Sequence, residues 1–289
     1  MSIDIRPYIM HLRPKEWPIV GLHLIAGMLC SKNFDFHDAA RSTFIFILLL
    51  NGGTLALNSS FDNDEGDIAF LNNPPKPPKY LKHFGLLLLS LSLFASMLEA
   101  NKTIGDKYFF EIIMTCVLMS IAYSTPPIRL KSRPGYDLVI NSIGFGFFTF
   151  LAGFVSTGNA FTPEILKLSV GFGFLFGALY PLTQIYQNDE DSRRGDQTLT
   201  LWLGTNKALN LSMGFSLVAF LWIIWGTLHS GIYTIMLLFN LMLWLYLLYY
   251  WKRRLKSMSA MNHKRFMYFF LLLWPLTDFI VLGAHFARY

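Results

Sequence analysis

The stretch Ala208–Trp251, ALNLSMGFSLVAFLWIIWGTLHSGIYTIMLLFNLMLWLYLLYYW, contains 44 consecutive residues without a charged side chain. A helix that crosses a bilayer needs about 20 mostly apolar residues. The stretch is therefore long enough for two crossings, separated by the polar turn His229-Ser230-Gly231. Three further runs, 42–61, 138–163 and 168–188, also lack Asp, Glu, Lys and Arg. The sequence thus predicts an all-α, polytopic membrane protein.

The composition of the 289-residue chain excludes other protein classes. Charged residues make up only 15% of it, against roughly 25% in soluble globular proteins. A hydrophobic content of 53% argues equally against disorder. The two cysteines, Cys30 and Cys116, lie in apolar runs without zinc-type or disulfide-framework spacing. The net charge of +6 comes from residues that flank apolar segments, and no basic stripe with exposed aromatics predicts a nucleic-acid partner.

The hydropathy pattern predicts one domain, 1–289, in which nine transmembrane helices form a bundle around a central apolar chamber. The predicted helices lie near 17–31, 40–61, 81–99, 108–123, 137–157, 164–187, 207–228, 231–251 and 265–287. With nine crossings, 18 of the 24 Lys and Arg residues fall on the N-terminal side of the membrane. Because basic residues concentrate in cytoplasmic loops, the N-terminus is predicted to be cytoplasmic. Gly144, Gly146, Gly171, Gly173 and Gly177 are expected to let the fifth and sixth helices approach closely.

Eight of the 18 acidic residues fall in two loops on the predicted cytoplasmic side, after the second and sixth helices. The first loop brings Asn58 four residues before Asp62, and the second brings Gln187 four residues before Asp191. On a continuing helix each such pair projects from one face. Oxygen ligands of this kind suit Mg²⁺, which commonly takes one or two carboxylates together with phosphate oxygens. The alternative interpretation is a solvated acidic loop; EF-hand spacing is absent from the sequence, which disfavours calcium.

A stiff basic segment, YSTPPIRLKSRPG at 123–135, lies between the two acidic loops. Its cations Arg129, Lys131 and Arg133 could clamp a polyphosphate, although a basic cytoplasmic loop is also ordinary. Two acidic patches and this segment on one membrane side indicate a site for a metal-bridged diphosphate. Phe-rich helices would bind the lipid tail, so the expected ligand is a lipid with a diphosphate head.

These residues resemble the motifs of the UbiA superfamily of intramembrane prenyltransferases over nearly the whole chain. Asn58 and Asp62 match the family's NDxxDxxxD motif, whose last position falls on Gly66, so Asp67 or Asp64 must substitute. Asn73-Pro74-Pro75-Lys76-Pro77 looks like the family's N-R-P-x-R-P segment, and 123–135 looks like its tyrosine-proline-basic loop. In the second motif Asp191, Gly195 and Thr198 match, but Gln187 stands where the family has Asp.

The resemblance implies Mg²⁺-dependent transfer of a prenyl group from an isoprenyl diphosphate to a lipophilic or aromatic acceptor within the membrane, at a site that opens to the cytoplasm. It implies three catalytic residues, Asn58, Asp62 and Asp191. The implied metal ligands are Asn58, Asp62, Asp67, Asp189 and Asp191, and the implied diphosphate-binding residues are Lys76, Tyr123, Arg129 and Lys131. Phe side chains of the fifth and sixth helices would protect and stabilise an allylic cation.

Two other functions stay open at this point. An intramembrane terpene cyclase of the same fold would need no acceptor, and the altered motif positions Gly66 and Gln187 leave room for it. Incubation with a prenyl diphosphate alone separates the two, because only a cyclase releases a terpene without an acceptor. A transporter could use the acidic patches for cations, but the tyrosine-proline-basic loop would then have no evident role.

Overall fold

The computed structural model describes residues 4–62, 68, 70–71, 73–195, 197–227 and 231–287. These residues form helices joined by loops, which confirms the all-α prediction. The helices are α1 Arg6–His11, α2 Trp17–Leu29, α3 Phe36–Phe61, α4 Leu81–Glu99, α5 Ile104–Ser124, α6 Tyr136–Val155, α7 Pro163–Ile185, α8 Asn188–Arg194, α9 Leu199–Leu203, α10 Thr205–Gly226, α11 Gly231–Ser257 and α12 Ala260–Phe286.

Seven of the described helices are long and apolar enough to cross a membrane: α3, α4, α6, α7, α10, α11 and α12. The chain is thus a multi-pass membrane protein. The other two predicted spans coincide with α2, which has only 13 residues, and with α5, which carries Asp106, Lys107 and Glu111 near its start. Nine as the number of membrane spans therefore stays a prediction.

Helix starts follow from local side-chain chemistry. The carboxylate of Asp35 accepts hydrogen bonds from the backbone N–H groups of His37 and Asp38 at the start of α3. Thr162 caps α7, and Pro163 occupies the first helical position, where a missing N–H costs nothing. The predicted start of this helix at 164 is therefore one residue from the observed start.

Two segments of the long helices are π-helical: Phe44–Asn51 in α3 and Ser142–Phe148 in α6. Each is continued by regular α-helix, Gly52–Phe61 in the first case and Thr149–Val155 in the second. A π-helical turn holds one residue more than an α-helical turn and so rotates the side chains that follow it. The first segment thereby sets which way the last turns of α3 face.

The chain divides into two compact units. The first comprises Met1–Leu130 and Ala152–Ala160 and contains α1 to α5. Its core includes Leu12, Leu49, Ala56, Leu81 and Leu88. In this unit α3 and α4 approach so closely that a Cβ atom on Gly85 would lie 2.8 Å from the backbone nitrogen of Leu57.

The second unit comprises Lys131–Leu151 and Phe161–Tyr289. A Cβ on Gly146 of α6 would lie 2.8 Å from the Cα of Gly173 in α7, which confirms the predicted close approach of these helices. Gly171 instead faces α10, where its Cβ would meet Ile223 at 2.6 Å. The glycines of α7 therefore allow close packing against two helices, α6 and α10, whereas the sequence predicted only the contact with α6.

Candidate functional site

The end of α3 presents Asn58 and Asp62 together. Asp62 follows the last helical residue with an extended backbone, and its N–H donates to the carbonyl oxygen of Asn58 at 3.2 Å. The Asn58 side-chain oxygen accepts a hydrogen bond from the Ser124 hydroxyl at 3.4 Å. Asn58 thus contacts the last residue of α5. A helix C-terminus carries partial negative charge, so this oxygen pair favours a cation.

Arg129 lies against this pair. Its guanidinium nitrogen Nη2 is 3.6 Å from Oδ1 of Asp62, whose side chain is 12% exposed. Arg129 has a φ of 34°, in the left-handed region that side chains other than Gly seldom adopt. A carboxylate predicted to bind metal and a cation predicted to bind diphosphate are therefore in contact, and each offsets the other's charge.

Two further predicted residues of the first unit lie near these groups in sequence. Tyr123 is half-buried and immediately precedes Ser124. Lys76 is exposed, in the proline-rich segment that leads to α4. That segment is tied to α1, because Nε2 of the buried His11 lies 3.1 Å from the Pro75 carbonyl oxygen. Burial lowers the pKa of His11, which favours its neutral form.

The carboxylates alone do not make a metal centre in the described ranges. No three His, Cys, Asp or Glu side chains come close enough there to hold an ion. Asp67, predicted as a ligand, and Asp64 both lie outside the described residues. The donors at the end of α3 are an amide oxygen and one carboxylate, which is the set that Mg²⁺ accepts when phosphate oxygens and water complete its shell. The residues present therefore fit this ion.

The second acidic segment is a helix of its own. α7 ends at Ile185, earlier than the predicted 187, and α8 begins at Asn188. The backbone N–H of Asp191 donates to the Gln187 carbonyl oxygen at 2.9 Å, so these two residues still stand one turn apart. Gly195 ends α8 with a φ of 74°, which suits a glycine.

The two predicted ligands of α8 differ in exposure. Asp191 is 5% exposed, whereas Asp189 is exposed to solvent. Residues two apart on a helix point in different directions, so one ion cannot easily take both carboxylates from α8. Of the two, Asp191 is the one shielded from bulk water.

The second unit, which contains α8, also contains buried lysines. Lys131 is 9% exposed and lies in a 3-10 turn, Leu130–Ser132. Lys264, near the start of α12, is equally buried, and its ammonium nitrogen lies 6.0 Å from the ring centroid of Tyr186. The sequence reasoning missed Lys264 as a site residue, because it sits in a basic run that resembles any cytoplasmic loop. A buried ammonium group is costly unless anionic or hydrogen-bonding groups surround it.

Asp137, at the start of α6, was also missed. It is completely buried, and its carboxylate accepts hydrogen bonds from the Gly135 N–H at 2.9 Å and from the Gln184 side chain at 2.8 Å. Gln184 lies in the last turn of α7, just before the second acidic segment. In the sequence, Asp137 stands two residues after Gly135 and directly before the uncharged run 138–163. This position was the one sign that set it apart.

Aromatic rings pack on one another between α6, α7 and α12. Phe145 stacks on Phe176 with the ring centroids 5.2 Å apart. Phe172 contacts both Phe150, at 4.9 Å, and Trp274, at 5.8 Å. Phe176 also contacts Trp274, with the ring centroids 5.6 Å apart. Phe145, Phe150, Phe172 and Phe176 thus share one aromatic cluster with Trp274 in the second unit.

Comparison with known proteins gives a family and a fold. The model of the UbiA prenyltransferase family matches residues 20–274. No curated protein matches the chain.

Several solved structures have a similar fold. A UbiA homologue from Archaeoglobus fulgidus bound to GPP and Mg²⁺ matches with a TM-score of 0.68 and 17% identity, covering 96% of this chain and 99% of that one. The same homologue bound to DMAPP and Mg²⁺ gives 0.66 and 18%, with coverages of 96% and 99%. A structure concerned with digeranylgeranylglyceryl phosphate synthase in membranes gives 0.69 and 16%, with coverages of 98% and 99%.

Proposed function

The chain belongs to the UbiA prenyltransferase family, and from this premise we propose that it transfers a prenyl group from an allylic isoprenyl diphosphate to a lipophilic or aromatic acceptor within the membrane. The observation that carries the proposal is the end of α3, where Asn58 and Asp62 offer oxygens and Arg129 offers a cation 3.6 Å from the Asp62 carboxylate. A diphosphate bridged by a metal ion needs both kinds of group at once. A similarly folded homologue binds GPP with Mg²⁺.

Asn58 and Asp62 in the first unit and Asp191 in the second are the proposed ligands for Mg²⁺, with Asp67 and the exposed Asp189 as further candidates. When bound, this ion supplies positive charge against the negative charge that develops on a leaving diphosphate. Asn58 and Asp62 both lie at the C-terminal end of α3, where a backbone hydrogen bond of 3.2 Å joins them.

Arg129, Lys131, Lys76 and Tyr123 are the proposed diphosphate contacts. The Arg129 guanidinium presents several donors in a fixed plane that matches phosphate oxygens. It lies 3.6 Å from the Asp62 carboxylate, so it would be close enough to contact a diphosphate held beside that residue. Lys131 is buried, so its charge acts through little intervening water.

The bond between the allylic carbon and the diphosphate oxygen breaks, and both of its electrons leave with the diphosphate. The acceptor then donates an electron pair to that carbon and loses a proton. Water would capture the allylic cation, so the reaction needs an apolar, aromatic surrounding. The partly exposed rings of Phe145 and Phe176 would supply such a surface in the second unit, and each cation–π contact contributes about 1 to 2 kcal/mol when desolvated.

The proposal is tested with Asp62→Ala and Asp191→Ala, assayed for release of diphosphate and for prenylated product. We expect both variants to lose turnover by at least about a hundredfold, which is the order of one lost electrostatic group in an active site. Asp38→Ala is the matched control, because this carboxylate lies in the first turn of α3, whereas Asp62 follows the last residue of that helix. Near-wild-type turnover in either variant would remove that residue from the proposed site.

A terpene cyclase is the second candidate, favoured by Gln187 at a position where the family pattern has Asp. The test is incubation with a prenyl diphosphate and Mg²⁺ without acceptor. Release of a hydrocarbon or terpene alcohol would support cyclisation. Product that forms only after an acceptor is added would support transfer.

We further propose that the N-terminus and both acidic segments lie on the cytoplasmic side. Cys30 and Cys116 are buried and can be replaced by Ala to leave a background without thiols. In that background, Ser257→Cys should react with a membrane-impermeant maleimide only from the cytoplasm, and Lys102→Cys only from outside. Reversed labelling would contradict the orientation.

A further inference from the structure

Asp137 is surrounded by hydrogen-bond donors from three parts of the second unit. Its Oδ1 accepts from the backbone N–H groups of Gly135, at 2.9 Å, and of Leu138, at 2.8 Å. Its Oδ2 accepts from Nε2 of Gln184, at 2.8 Å, and from the backbone N–H of Leu199, at 3.3 Å. The carboxylate therefore joins the end of the basic loop, the last turn of α7 and the start of α9.

Gln184 extends this network to the second acidic segment. Its Oε1 accepts a hydrogen bond from the backbone N–H of Thr200 at 3.3 Å. The Thr200 hydroxyl in turn donates to Oδ1 of Asn188, the first residue of α8, at 2.5 Å. Asp137, Gln184 and Thr200 are all buried, so these bonds are shielded from competing water. The first residue of α8 is thus connected through Thr200 and Gln184 to one buried carboxylate.

We propose that Asp137 is a positioning residue, which fixes α8 and its Asp191 relative to the basic segment that carries Lys131. The effect that we expect on enzyme kinetics rests on the proposed function. Asp137 follows Lys131 by six residues and is linked through Gln184 to the residues that precede Asp191. A change at Asp137 would displace a metal ligand and a diphosphate contact together, although its own carboxylate is fully committed to hydrogen bonds within the protein.

The hydrogen bond between Asp137 and Gln184 can be tested by exchanging its donor and its acceptor. In Asp137→Asn the new NH₂ group would face the NH₂ group of Gln184 and the Leu199 N–H, so donors oppose donors. In Gln184→Glu two carboxylates would face each other. The double variant Asp137→Asn/Gln184→Glu restores a donor against an acceptor between the two side chains and keeps the net charge. It leaves the Leu199 N–H without its partner, and the Tyr180 hydroxyl, which accepts from Gln184 at 3.1 Å, would donate to the new carboxylate instead.

Two readouts are measured on each variant: hydrogen exchange of the 197–203 peptide, and the concentrations of Mg²⁺ and geranyl diphosphate that give half-maximal rate. We expect Asp137→Asn to raise exchange in this peptide and to raise both half-maximal concentrations about tenfold, which corresponds to about 1.4 kcal/mol. The fall in kcat should be smaller. The double variant should return to within about threefold of wild type.

Asn240→Ala is the matched control, because it removes a buried hydrogen bond of the same unit, from Asn240 to Thr277 at 2.9 Å, away from α8. It should lower stability without changing either readout. Unchanged exchange in Asp137→Asn, or no recovery in the double variant, would overturn the positioning role. If wild-type protein itself shows no response to geranyl diphosphate, the proposed function fails, while the exchange measurement still decides whether Asp137 holds α9.

Discussion

Because of Glu16, the protein is expected to become less stable as the pH rises towards and above 7. Glu16 lies immediately before α2 and is 7% exposed. Burial raises its pKa from 4.5 to about 7, and the charges of Arg13 and the amide of Asn51 offset only part of this effect. The folded state therefore keeps a proton on Glu16 that the unfolded chain releases near pH 4.5. The stabilisation is fully present below that pH and is lost as the pH rises through 7.

The difference between the two pKa values corresponds to on the order of 3 kcal/mol. In Glu16→Gln the side chain has no proton to lose, so the pH-dependent contribution of residue 16 to stability disappears. Between pH 4.5 and pH 8, we expect the free energy of unfolding of the wild type to fall by up to that amount relative to the variant. His11, whose pKa burial lowers, acts in the opposite direction in both proteins and cancels in the comparison.

The assay is the thermal unfolding midpoint of purified protein in detergent, measured at pH 5, 6.5 and 8. The midpoint of Glu16→Gln relative to wild type should rise steadily across this series. Asp38→Asn is the control, since its carboxylate is 46% exposed and forms only a surface ion pair with Arg41. A difference between Glu16→Gln and wild type that stays constant with pH would refute the reasoning.

Three further outcomes are expected. Arg129→Gln should raise the KM for a prenyl diphosphate about tenfold, through loss of a charged phosphate contact, and an unchanged KM in steady-state kinetics would remove Arg129 from the site. Gly85→Ala should lower stability by about 1 to 3 kcal/mol in thermal unfolding, since its Cβ would lie 2.8 Å from the Leu57 nitrogen; Gly214→Ala, which meets nothing within 4 Å, should not destabilise. Chelation of divalent ions should abolish turnover while circular dichroism stays helical, and activity that survives EDTA would contradict a metal-dependent reaction.

The sequence predicted the long helices well, because uncharged runs of about 20 residues leave few alternatives in a bilayer. The longest run was predicted to divide at His229-Ser230-Gly231, and the observed helices end at Gly226 and begin at Gly231. The π-helical segments 44–51 and 142–148 were not predicted. Both are almost wholly apolar, so no hydrophobic periodicity distinguishes an α-helical turn from a wider one.

The candidate site was predicted only in part. The four-residue spacing from Asn58 to Asp62 corresponds to one helical turn, and a backbone hydrogen bond from Asp62 to Asn58 spans that turn. The break after Ile185 could not be predicted, because no Gly or Pro separates α7 from α8. The different exposures of Asp189 and Asp191 follow from their two-residue spacing on α8. Asp137 escaped notice because its partners, Gln184 and the Leu199 N–H, are distant in sequence and only the fold brings them together.

The central claim is that this chain holds a prenyl diphosphate through Mg²⁺ and the acidic helix ends. Calorimetric titration of the purified protein with geranyl diphosphate, with and without Mg²⁺, tests it most directly. Wild-type protein should release or absorb heat only when Mg²⁺ is present, and saturation at about 100 times Kd should stabilise it by about 2.7 kcal/mol; Asp62→Ala should show neither effect. Absence of heat and of thermal stabilisation in the wild type would contradict the claim.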